Sequence, residues 1–144
     1  MGKIKIAIVG CGNCAASLLE GLEYYRRIAA EKKAGKKKEI ECFGLMNYEM
    51  GGYFPNDIEV VAAFDVDERK VGQRLDLALR AKPNCILKMC DIAKSKVRVE
   101  MGTVLDGVSE HMANYPADKT FVVANKKPAN VEKMYSPLSP QLSC

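Results

Sequence analysis

Residues 4–27 read IKIAIVGCGNCAASLLEGLEYYRR, and two incompatible motifs overlap in them. Cys11 and Cys14 have the C-x-x-C spacing of a redox dithiol or of half a zinc site. Gly10, Gly12 and Ala15 have the G-x-G-x-x-A spacing of a turn that receives a dinucleotide pyrophosphate. Upstream, Ile4 to Val9 is almost wholly apolar and rich in β-branched residues, the composition of a strand buried on both faces in a helix-covered parallel sheet. Downstream the period changes. Ala15, Leu18, Leu19, Leu22 and Tyr25 share one face of a helix, with Glu20, Glu23, Arg26 and Arg27 mostly away from it.

A thioredoxin-like dithiol also sits at a helix start, so position does not separate the two readings. The small residues do. A redox motif needs no glycine on either side of its first cysteine. A dinucleotide turn needs Gly10 for the bend, Gly12 for close approach of the backbone, and Ala15 for packing of helix on strand. The helix N-terminus then offers unpaired N–H groups and the positive end of its dipole to phosphate. Zinc needs about four ligands, yet Cys85 and Cys90 are loosely spaced and His111 is the only histidine. No metal site is expected, and Cys11 and Cys14 read as small space-fillers.

A second apolar stretch, Glu59 to Val66, predicts another buried strand carrying Asp65 near its end. That carboxylate is placed to accept hydrogen bonds from ribose hydroxyls and to repel a 2′-phosphate, which favours NAD over NADP. It follows Gly12 by 53 residues, against the usual interval of about 20, because a long insertion intervenes. The alternative is that Asp65 merely caps the next turn, and Arg69 and Lys70 are the features that favour NADP. Asp67 is expected to cap a second helix with Val71, Leu75, Ala78 and Leu79 as its apolar stripe.

The rest of the chain bounds the class. Its 144 residues suit one core, and 48 % apolar and 28 % charged content is that of an ordinary globular protein. Residues 26–41 hold seven basic against three acidic residues, the whole of the net +4, and the other fifteen of each sign cancel. A solvated helix end and loop is therefore expected there, with no nucleic-acid face. No apolar run reaches a membrane span or a secretory signal, so a cytoplasmic location with reduced thiols and no membrane partner is expected. Residues 31–57 form a long connection, and the stretches NCILKMCDI, KVRVEMG and KTFVVAN are candidate strands. Segment TVLDGVSEHMANY is a short helix or loop, and NKKPANVEKMY starts a helix near Pro128. The fold class expected is α/β: a Rossmann-like doubly wound parallel sheet, incomplete and limited to its N-terminal part. One domain spans 1–134 with the insertion at 31–57, and 135–144, with two prolines and three serines in the last nine residues, is a frayed tail.

Four blocks in order, IAIVGCGNCAASLLEGLEYY, GLMNYEMGGY, VVAAFDVDERKVG and MGTVLDGV, resemble the inositol-phosphate synthases of the bacterial and archaeal branch, and the resemblance covers most of residues 4–133. It implies an NAD-dependent isomerase that converts glucose 6-phosphate to inositol phosphate by internal oxidation, aldol cyclisation and reduction. It also implies a homotetramer when complete. By the same resemblance Gly10, Gly12, Asn13 and Cys14 form the phosphate-contacting loop and Asp65 is the acid after the second strand. Thr103, Asp106 and Gly107 lie in a block near the cofactor, with a surface turn as the alternative. Arg74 departs from the acid found there in many relatives. The catalytic lysines are expected beyond the last residue, so no catalytic residue is named. Lys126, Lys127 and Lys133 are not substitutes, and the chain alone is expected to be inactive. Two other readings stay open: the nucleotide half of an NAD-dependent dehydrogenase, and a non-enzymatic NAD-sensing module.

Overall fold

A computed structural model describes residues 2–36, 39–105 and 110–131. Three parallel strands form one sheet in the order β1 (Ile4–Val9), β2 (Ile58–Asp65), β3 (Val99–Met101). The register runs from Ile4 opposite Ile58 to Val9 opposite Phe64, with an irregularity between Ile6 and Ala7. Ala63 then faces Val99, and Asp65 faces Met101. Adjacent parallel strands require a crossover. Helix α1 (Asn13–Lys33) and the connection after it supply the one between β1 and β2. This is an α/β arrangement of Rossmann-like type, as the alternation of strand and helix periods predicts.

Alternation along the strands places Ile8, Ala63 and Val99 on one face of the sheet. There they meet Ala15, Ala16 and Leu19 of α1, and Leu75, Ala78 and Leu79. The buried stripe of α1 continues through Leu22, Tyr25 and Ile28, whereas Leu18 is largely exposed. The helix ends where Gly35 adopts φ +72° and its N–H returns to the Lys32 carbonyl, a left-handed stop that glycine takes without strain. The long connection is tied back to α1 by rings. Tyr25 donates from its hydroxyl to the Phe43 carbonyl at 2.6 Å. Tyr48 lies with its centroid 5.8 Å from Tyr25 and 5.3 Å from Phe54.

Several expectations need correction. Among the described residues β1 is covered on one face only: Ile8 is buried but Val9 is 80 % exposed, because the described helices packed on the strands lie on the Ile8 side. The second helix shrinks to α2 (Leu75–Ala78), with Arg74 rather than Asp67 at its N-cap. Residues 67–71 form a turn instead, and Gly72 at φ +90° breaks the helical path. The following residues pair with residues 97–99, at and just before the start of β3: Gly72 N–H donates to Val99 O, Val99 N–H to Gln73 O and Leu75 N–H to Val97 O. The apolar stripe Val71, Leu75, Ala78 and Leu79 is nevertheless buried. Of the three candidate strands only KVRVEMG forms one. Stretch 119–125 adds two ladder-like bonds, Glu68 N–H to Val122 O and Ala124 N–H to Val66 O, but no strand. Residues 110–114 form a short 3-10 helix. The tail 135–144, most of the helix expected after Pro128, and Lys133 lie outside the described residues.

Candidate functional site

β1 hands over to α1 in three residues. Gly10 sits at φ +90°, in the left-handed region, and its N–H donates to the Phe64 carbonyl at 2.8 Å. The bend therefore requires glycine at this position. Gly12 is different. It is the N-cap of α1 at φ −86°, ψ −163°, extended backbone open to any residue. A Cβ built on it would meet no heavy atom within 4 Å. Nothing in the protein's own packing asks for glycine there.

No side chain caps α1. Ala16 N–H returns to the Gly12 carbonyl at 3.0 Å, while the amides of Gly12, Asn13, Cys14 and Ala15 have no acceptor among the described residues. Free amides mark every helix start; here they border open space at a glycine. The Asn13 side chain faces elsewhere, its Oδ1 accepting from Cys85 N–H at 2.9 Å. Cys14 is exposed and Ala15 is buried against the Ile8 side of the sheet.

Asp65, at the end of β2, is buried and holds the turn. Its Oδ2 accepts from Cys11 N–H at 2.8 Å, and its Oδ1 accepts from the amides of Val66 at 2.7 Å and Asp67 at 2.9 Å. Lys70 lies 3.7 Å from Oδ2. The carboxylate is thus engaged by the chain itself on both oxygens: it caps the following turn, the alternative that the sequence offered, and it also holds Cys11, which the sequence did not signal. Lys70 and Arg69, the residues that favoured NADP, are also engaged. Arg69 pairs with Asp67 and donates to the Thr120 carbonyl at 2.7 Å. Lys70 is buried beneath the turn beside Asn84. Asn84 carried no site signal in the sequence, where it opens the candidate strand NCILKMCDI.

The turn borders a cavity of about 420 Å³ whose walls include Gly10, Gly12, Asp65, Lys70, Thr103 and Phe121. Thr103 is exposed there, while Asp106 and Gly107 lie outside the described residues. A larger cleft of about 650 Å³, between Leu22, Arg26, Val61 and Lys96, shares no wall with the glycine turn. Arg74 pairs with Asp76. Lys126 donates to the Val71 carbonyl at 3.3 Å.

The cysteine chemistry is decided by burial. Desolvation, and secondarily the Asp65 carboxylate, push the Cys11 thiol up to about 12, so it stays protonated near neutral pH and is no nucleophile. Its Sγ donates weakly to the Phe64 carbonyl at 3.7 Å. A redox dithiol does not fit this environment.

Strand, glycine bend, helix and a buried acid at the next strand's end define a Rossmann-like α/β protein. No family model matches the chain. It is 38 % identical over 133 residues, 92 % of its length, to the inositol-3-phosphate synthase of Mycolicibacterium smegmatis, and covers 33 % of that protein. It is 44 % identical over 108 residues, 75 % of its length, to that of Corynebacterium glutamicum, covering 28 % of it. Among solved structures, the crystal structure of Ari2 superposes with a TM-score of 0.62 at 31 % identity, over 71 % of this chain and 29 % of that one. Over the stretch that matches, the chain is similar to the inositol-3-phosphate synthases, and it spans about a third of the length of the curated relatives.

Proposed function

We propose that this chain is the NAD-binding portion of an inositol-phosphate synthase. The observation that carries the reading is Gly12: an unstrained glycine at a helix N-terminus, with open space where its side chain would be. A backbone that excludes side chains without a steric need of its own suits close approach of a phosphate. In this reading the amides of Gly12, Asn13 and Cys14 hold the diphosphate and Gly10 provides the bend. Asp65 braces the turn from within and puts its negative charge on the wall of the cavity, which Thr103 also lines. NAD is favoured over NADP because Asp65 is an acid while Arg69 and Lys70 are committed to protein partners.

Bound NAD would supply oxidation and re-reduction of a sugar carbon within one turnover. The reaction proposed for the complete enzyme is conversion of D-glucose 6-phosphate to 1D-myo-inositol 3-phosphate, in a cytoplasmic homotetramer. The residues present here would bind and orient the cofactor, and the chain alone is proposed to be inactive. Among the described residues no helix is long and apolar enough to cross a membrane.

Calorimetric titration of the chain with NAD, NADP and ADP is the test. Heat with NAD and ADP, and less with NADP, is the expected result. Silence with all three removes the site. Net NADH release with a hydroxylated substrate points to a dehydrogenase half instead.

A further inference from the structure

Lys70 is 1 % exposed, and burying an ammonium costs several kcal/mol unless partners repay it. Here Nζ donates to the Cys11 carbonyl at 3.0 Å and to Asn84 Oδ1 at 2.9 Å, with Asp65 Oδ2 at 3.7 Å. Asn84 Nδ2 donates to the same Cys11 carbonyl at 2.9 Å and to the Leu79 carbonyl at 3.0 Å. Cys11 is therefore gripped at both ends, its N–H by Asp65 and its carbonyl by Lys70 and Asn84.

In a trans peptide, the carbonyl oxygen of one residue and the N–H of the next point in opposite directions. Two donors drawing the Cys11 carbonyl toward the protein interior thus turn the Gly12 N–H the other way. That amide has no acceptor among the described residues, and Lys70 and Gly12 both line the 420 Å³ cavity. The lysine also pairs with the Asp65 carboxylate beneath the turn, whose charge, left unpaired, would repel an anion.

We propose that Lys70 and Asn84 are positioning residues that clamp the Cys11–Gly12 peptide so that its amide faces a bound diphosphate. The inference rests on the nucleotide reading above and adds to it how the turn is set. Arg69, its neighbour, has no such role, being spent on Asp67 and Thr120.

The test titrates the full chain and its Lys70→Met and Asn84→Ala variants with NAD, ADP and adenosine. Loss of one aimed, charge-assisted hydrogen bond weakens a ligand about tenfold or more. The expected pattern is that loss for NAD and ADP, with adenosine, which carries no phosphate, unchanged. A folded Lys70→Met variant that binds NAD and ADP like the wild type overturns the clamp alone. So does parallel weakening of all three probes, the mark of a merely structural role. A wild type that binds neither NAD nor ADP overturns the nucleotide reading and the clamp with it. If Lys70→Met does not fold, Asn84→Ala, which keeps the buried ion pair, carries the same comparison.

Discussion

Replacement of Gly12 by alanine separates what the fold requires from what a ligand requires. The residue has φ −86° and ψ −163°, and a Cβ there touches nothing within 4 Å. Two small effects on folding oppose each other. Alanine removes backbone freedom from the unfolded chain, a gain of roughly 0.4–1 kcal/mol at a compatible site. Alanine is also the poorer N-cap residue, a cost of up to about 1 kcal/mol. Net stability should move by less than ~1 kcal/mol, or a few degrees in Tm for a chain of this size. Binding has no such compensation. A phosphate oxygen accepting from these amides stands about 2.9 Å from nitrogen, and the added methyl competes for the same space. Loss of one charge-assisted bond corresponds to about 1.5–3 kcal/mol, or roughly ten- to hundredfold in Kd. Gly10→Ala is the internal control. At φ +90° it costs roughly 1–2 kcal/mol of stability whether or not a nucleotide binds. Thermal denaturation followed by circular dichroism, with calorimetric titration of NAD, reads both effects. A Gly12→Ala protein of normal stability and undiminished NAD affinity would refute the reasoning.

Asp65→Asn should weaken NAD binding and also lower Tm, because an amide whose oxygen serves Val66 and Asp67 turns an NH2, which cannot accept, toward the Cys11 N–H; a loss of about 1.5–3 kcal/mol is expected by denaturant titration, and an unchanged midpoint speaks against its holding the turn. Asp67 is buried, which by itself raises its pKa, but hydrogen bonds from Arg69 and from the Arg69 and Val122 amides outweigh burial and hold it below 3.8. Its contribution is therefore fully present above that value and is lost as pH falls through the depressed folded value. Asp67→Asn should be less stable than the wild type at pH 7 by roughly 1.5–3 kcal/mol, with the difference shrinking below about pH 4; a gap that is constant with pH excludes the ion pair as its source. Leu79 is fully buried between α1 and the sheet, and Leu79→Ala should cost about 2–5 kcal/mol in urea unfolding, whereas a cost under 1 kcal/mol, on the order of a surface change, would contradict its place in the core. Tyr25→Phe removes the bond to the Phe43 carbonyl and should cost about 0.5–1.5 kcal/mol, with faster proteolysis near residues 43–54 as the local readout.

How much was legible in the sequence depended on the range over which the controlling contacts act. The strand, glycine bend and helix at 4–33 could be read from residues alone, because a short β-branched apolar run, the φ freedom of glycine and a period of 3.6 are local properties. The position of Asp65 at the end of a second strand was legible for the same reason. The long second helix was misjudged because its apolar spacing is helical while Gly72 and the pairing of residues 72–75 with 97–99 override it. What tertiary structure alone decided is what the groups at the site do. The bonds that define the turn join Cys11 to partners 54, 59 and 73 positions away. They turn Asp65 inward, bury a lysine that in the sequence favoured NADP, and recruit an asparagine with no motif of its own. Periodicity reports which face of an element is apolar. It carries no information about which buried polar groups must find one another, because that demand arises only once the chain has folded and removed them from water.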